Sequence, residues 1–145
     1  MASPTVSSVA ALLLLMSALD ACTALPGGAP FIACSSLVNM RPLHWRPTEK
    51  DAGESPYRMV QDKEDFAPGD SVNVELYSED DTTFKGFLVK AVDERGNQVG
   101  HFSSGNDYQP VKFCSGATHT SNAEKKSVRM VWQAPAGKSG RVHFV

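Results

Sequence analysis

The apolar residues beyond position 30 recur with a period of two, not with the 3.6-residue period of a helix, over any window of about 11 residues. Ser71-Val72-Asn73-Val74-Glu75-Leu76-Tyr77 sets Val72, Val74 and Leu76 on one face and polar groups on the other, which predicts a half-buried antiparallel strand. Ala67-Pro68-Gly69-Asp70 introduces it as a turn, and the acidic run Ser78 to Asp81 ends it. Phe84 to Val92 is apolar on both faces apart from its lysines, so it predicts a central strand covered on both sides, with Gly86 marking a bulge or a close backbone approach. Asp93-Glu94-Arg95-Gly96-Asn97 reads as a turn and Gln98 to Phe102 as the returning strand, making residues 84 to 102 a hairpin. Ser103 to Pro110, rich in Ser, Gly, Asn and Asp, is expected to be an exposed loop. Val128, Met130 and Trp132 alternate within Ser127 to Trp132, and Ala134 to Gly140 turns the chain into a last strand, Arg141 to Val145. Met40 to Tyr57, with Pro42, Pro47 and Pro56, should be irregular and extended. Strands punctuated by Gly and Pro, with no helix between them, predict an all-β fold, an antiparallel β-sandwich.

The first 24 residues follow different rules. From Val9 to Leu19 only apolar or small residues occur, and Asp20 is the sole charge. The apolar core Val9 to Met16 is too short for a bilayer needing roughly 20 residues, yet it suits a secretory leader's core of about 7–15. Cleavage is expected after Ala24, where Cys22 and Ala24 offer small side chains and Pro26-Gly27-Gly28 follows, although the leader carries no Lys or Arg. The competing reading, a buried N-terminal helix, has no polar face for solvent. The expected organisation is therefore a signal peptide over residues 1–24 and one domain over 25–145, secreted and without a membrane span.

Charge and composition add mainly exclusions. Fourteen basic against 16 acidic side chains give a net charge of −2, which excludes a strongly basic nucleic-acid binder. With 41% hydrophobic and 21% charged residues the chain has the makeup of one globular domain. Of three cysteines, Cys22 leaves with the leader, so Cys34 and Cys114 remain for one intramolecular bridge. Such a bridge closes a loop of about 80 residues and removes roughly 4.5 kcal/mol of unfolded-state entropy in the chain-entropy account. The alternative, a two-cysteine metal site, lacks CxxC spacing and a nearby Cys/His partner.

No catalytic constellation is visible, and no cofactor is called for. His44, His101, His119 and His143 stand far apart, and GxSxG is absent. Glu79-Asp80-Asp81, with Glu75 and Asp70, offers Ca²⁺-type oxygens without the DxDxDG pattern, and a solvated loop explains the run more simply. Lys125-Lys126 with Arg129, and Lys138 with Arg141, form small basic clusters that suit anionic lipid or polysaccharide only weakly on a near-neutral chain. Trp45, Tyr57, Tyr108 and Trp132 are the aromatics a sugar could stack on; core packing explains Trp132 better, whereas Trp45 and Tyr108 sit in segments expected to be irregular. No Asn-x-Ser/Thr sequon occurs.

Taken in order, Cys34-x5-Met40-x-Pro42-x-His44, Pro56-Tyr57, Pro68-Gly69, Phe84-Lys85-Gly86-Phe87-Leu88, Val99-Gly100-x-Phe102, Cys114 with Thr118-His119, and Val128-x3-Trp132-x-Ala134-Pro135-x4-Gly140-x-Val142-x-Phe144 resemble the reeler (reelin N-terminal-like) domain over nearly the whole of residues 25–145. The resemblance implies an immunoglobulin-like β-sandwich with Cys34 and Cys114 as its bridging pair. Secreted stand-alone reeler proteins of this length are similar to the insect defence protein group. That implies innate immunity: antibacterial or antifungal defence, non-enzymatic binding of microbial surface polysaccharide or lipid, and haemocyte nodulation. Alternatives within the family are an extracellular matrix or adhesion module of the reelin type and a domain of ferric-chelate reductases, which pair it with haem-carrying domains. Reeler domains usually continue past the strand matching Gly140 to Val145, so a short final edge, or a sequence that is a fragment, is expected here.

Overall fold

The computed structural model describes residues 25–34, 40 and 55–145; the leader expected over residues 1–24, together with His44 and Trp45, lies outside them. Among the described residues nine strands follow one another: Tyr57–Gln61 (β1), Asp65–Phe66 (β2), Ser71–Ser78 (β3), Leu88–Asp93 (β4), His101–Phe102 (β5), Tyr108–Val111 (β6), Gly116–His119 (β7), Ser127–Gln133 (β8) and Gly140–Phe144 (β9). They form two antiparallel sheets, ordered β1-β3-β8-β5 and β2-β9-β4-β7-β6.

The alternation that predicts β3 and β8 also explains their packing. Val72 and Val74 of β3 and Val128, Met130 and Trp132 of β8 are buried, and they meet Val89 and Ala91 of β4, Ala117 of β7 and Val142 of β9 from the other sheet. Trp132 is central: its ring meets Phe66 edge-on at 5.1 Å and Phe144 at 6.1 Å, and its indole N–H donates to the Val99 carbonyl at 2.9 Å. Hydrophobic contact thus holds the two layers together, and the one polar atom of that ring is satisfied.

Four expectations are corrected. The strand expected over Phe84 to Val92 starts only at Leu88, and Phe84 makes a lone bridge to Lys125. The reason is that side chains of β7 take the backbone groups of Phe87: its N–H donates to His119 Nδ1 at 3.1 Å and its carbonyl accepts from Thr118 Oγ1 at 2.7 Å. Gly86 does mark a close approach, since a Cβ there would lie 2.8 Å from His119 Cε1. β4 is central in its sheet, but only Val89 and Ala91 on its inner side are fully buried.

The hairpin expected over residues 84 to 102 closes as foreseen at Asp93–Asn97, with Val92 opposite Gln98 and the Val99 N–H on the Ala91 carbonyl. It then parts, because His101 and Phe102 pair with Gln133 and Trp132 in the other sheet. Gly100 makes the crossing at φ +61°, directly over the Trp132 ring. The exposed loop expected to run to Pro110 ends at Asp107, since Tyr108, buried to 5%, opens β6. Tyr57, expected in an irregular segment, opens β1 opposite Ser78.

Outside the main core, residues 25–34 run over the outer face of β6 and β7. The Ala29 N–H donates to Thr118 Oγ1 at 2.9 Å, Gln109 Nε2 donates to the Gly27 carbonyl, and His119 Nε2 lies 3.2 Å from the Leu25 carbonyl. The 3-10 turn Phe31–Cys34 ends this segment, and Cys34 is joined to Cys114 by a disulfide with Cα atoms 5.8 Å apart. The bridge is buried with Val111, and Leu88 packs against it.

Candidate functional site

The structure disperses most of the sequence-derived candidates. Trp132 is wholly buried, and Tyr108 points its ring inward, where its hydroxyl accepts from the Val131 N–H at 3.1 Å and shares a hydrogen bond with Ser103. Tyr57 packs edge-on to Phe84 and donates its hydroxyl proton to the Thr83 carbonyl. Trp132 and Tyr108 therefore offer no free ring face, whereas Tyr57 stays 39% exposed.

The acidic run is likewise divided among separate partners. Glu79 pairs with Arg58 at 2.9 Å, Asp81 with Lys126 at 2.8 Å, and Asp80 accepts from Thr82 and Ser78. Those donors hold both aspartates below the ordinary carboxylate range, chiefly the Thr82 side chain for Asp80 and the Lys126 ammonium for Asp81. Glu75 faces Arg129 across the β3–β8 ladder at 3.3 Å. Among the described residues no three His, Cys, Asp or Glu side chains converge as metal ligands.

The first basic cluster also comes apart. Lys125 is buried, and its ammonium donates to the carbonyls of Ser121, Ala123 and Lys85 at 2.8, 2.7 and 3.3 Å, using all three protons to close a loop. Sequence reasoning grouped it with exposed cations because a Lys-Lys pair carries no sign of which member turns inward.

The second cluster behaves differently. Lys138 and Arg141 stand beside the Asp93–Asn97 turn and line, with Phe66, Asp93, Glu94, Arg95, Asn97, Ser139 and Gly140, a partly open cavity of about 360 Å³. The turn is organised by Asp93, whose Oδ1 accepts the backbone N–H groups of Asn97 and Arg95 at 2.9 and 3.0 Å while Oδ2 accepts from Lys138 at 3.1 Å. The Asn97 N–H above all, and then the Lys138 ammonium, bring the Asp93 carboxyl down to about 2. Arg141 reaches Asp65 at 3.1 Å, Glu64 at 3.7 Å and Glu94 at 3.8 Å, and the Asp65 carboxylate foremost raises its already high proton affinity. Gly140 lies beside the buried Phe66 ring, and a Cβ there would sit 3.6 Å from it, an ordinary contact. The arrangement offers fixed donors and acceptors around a partly open cavity. It brings together no nucleophile with a base.

The Reeler domain family model matches residues 33–145. "Putative defense protein 3" of Antheraea mylitta is 30% identical over 135 residues, covering 90% of this chain and 79% of that protein. "Putative defense protein" of Bombyx mori is 30% identical over 128 residues, covering 81% and 71%. "Putative ferric-chelate reductase 1" of Danio rerio is 31% identical over 96 residues, but the chain spans only 17% of that protein's length. Among solved structures, the Reelin-N domain of F-spondin superposes with a TM-score of 0.53 at 21% identity, covering 62% of this chain and 69% of that one, which is a likeness of fold.

Proposed function

The chain belongs to the Reeler domain family, and from that premise we propose that it is a secreted, non-enzymatic protein of innate immune defence that binds polysaccharide or lipid at microbial surfaces. The observation that carries this reading is the match to two moth proteins named as defense proteins, each spanned over more than two thirds of its own length. Reeler domains occur in extracellular proteins, and among the described residues no helix is long and apolar enough to cross a membrane. The leader pattern of residues 1–24 and the bridge between Cys34 and Cys114 support export to an oxidising compartment. The two antiparallel sheets support reading the fold as an immunoglobulin-like sandwich, whose turns would carry recognition while the sheets hold them in place.

The test is retention of the purified chain on bacterial and yeast cells and on immobilised lipopolysaccharide and β-glucan. Retention on at least one surface at micromolar protein, resistant to washing at physiological salt, is the expected result. Absence from all of them would overturn the reading.

A further inference from the structure

We propose that the face built by residues 25–34 and the Lys112–Cys114 turn seats the protein on a bilayer rich in anionic phospholipid. The assignment deepens the defence reading, because it names which surface component is held, and it rests on that reading for the source of the bilayer.

Exposed apolar side chains come first. Phe113 is 84% exposed, Leu25 56% and Ile32 43%, and all three stand on one side of the molecule, over or beside the outer face of β6 and β7. Ile32 and Phe113 each belong to a 3-10 turn that ends in a cysteine, and the disulfide between those cysteines holds the two turns together. The side chains are thereby presented on a rigid support, which lowers the ordering cost of binding. A side chain as exposed as Phe113 protrudes. A protein partner would have to supply a matching pocket for it, whereas the fluid boundary of a bilayer conforms to it.

Charge decides the kind of bilayer. The stretches that form this face, residues 25–34, 87–92 and 108–119, contain Lys90 and Lys112 and no Asp or Glu. Lys112 is exposed and precedes Phe113 in its turn. Lys90 stands opposite Gly116, where a Cβ would lie 2.9 Å from Cys114 Sγ and 3.6 Å from Cys34 Sγ, so it shares the face on which the bridge sits. Neither ammonium is paired with a carboxylate among the described residues. Around the four-stranded sheet the cations are answered instead, Arg58 by Glu79 and Arg129 by Glu75. An anionic headgroup layer therefore meets two lysines with no competing carboxylate, next to apolar side chains that can enter the acyl boundary, and a zwitterionic layer offers those lysines no net attraction.

The experiment sediments the purified chain with vesicles of phosphatidylglycerol and phosphatidylcholine in equal parts, and with vesicles of phosphatidylcholine alone. Partition into the first at micromolar protein, falling as salt is raised, and little into the second are expected. Phe113→Ser and Lys112→Glu, both at exposed positions, should each weaken that partition by about tenfold or more, while Val60→Ser, on the outer side of the four-stranded sheet, leaves it unchanged. Phe113→Trp gives a direct reading of insertion: lipids brominated on the acyl chain should quench its fluorescence more than that of the native chain. Equal partition into both vesicles overturns the anionic class. No partition into either, unchanged partition in both Phe113→Ser and Lys112→Glu, or no added quenching overturns the face. A dimer that Phe113→Ser dissolves, followed by light scattering, places a second copy there and overturns it as well. In each of these cases the defence reading stands if the chain is still retained on microbial cells; loss of that retention is what removes it.

Discussion

Gly100 shows how much a single missing methyl group can determine. A Cβ at this position would lie 2.3 Å from Trp132 Cζ2 and 2.4 Å from the Gln133 carbonyl, and the backbone stands at φ +61°. Gly100→Ala therefore combines backbone strain with overpacking of the central tryptophan, and chemical denaturation should show a loss of about 2–4 kcal/mol. Asp93 makes a prediction about acid. Its folded value lies near 2 against an ordinary 3.8, so its contribution is present above pH 3.8 and is lost as pH falls toward 2. Thermal midpoints recorded across that window should fall more steeply for the native chain than for Asp93→Asn, which has no carboxylate left to protonate. The residue scale also shows where sequence reading reaches its limit. The alternating valines of β3 reveal a buried face directly, whereas nothing local to Lys125 or Tyr108 discloses that each one's polar end is consumed by backbone groups from other segments.

Among the elements, legibility follows the bulk of the inward-facing side chains. β3, β8 and β9 could be read from sequence because large apolar residues alternate along them. β7 could not, because Gly116-Ala117-Thr118-His119 buries its residues in spaces too tight for larger ones; a Cβ on Gly116 would meet Cys114 Sγ at 2.9 Å. β6 was hidden by Pro110, which a strand accommodates only at a sheet edge, and an edge is where β6 lies. The cleft was hidden for another reason: residues 66, 93–97 and 138–141 meet only when a hairpin turn and a loop from β8 to β9 come together. Tyr108 ties two of these elements. β5 covers only two positions of β8, and beyond it the Val131 N–H is taken by the Tyr108 hydroxyl instead of a strand carbonyl. Tyr108→Phe leaves that N–H unpaired, so a destabilisation of about 1–3 kcal/mol is expected, with faster amide exchange concentrated at Val131.

For the molecule as a whole, the disulfide lies apart from the main core, in a small cluster that fastens residues 25–34 to the outer face of the five-stranded sheet. Cys34→Ala with Cys114→Ala should lower stability by about 2–5 kcal/mol, measured by denaturant titration, and should expose residues 25–34 to protease before the strands are cut. β4 connects that cluster to the cleft. It begins at Leu88, against the joined sulfurs, and ends at Asp93, on the wall of the cleft, about 17 Å of extended backbone away. One strand therefore carries the fold's covalent anchor at one end and the wall of its cavity at the other, so either can be altered while its opposite keeps its footing.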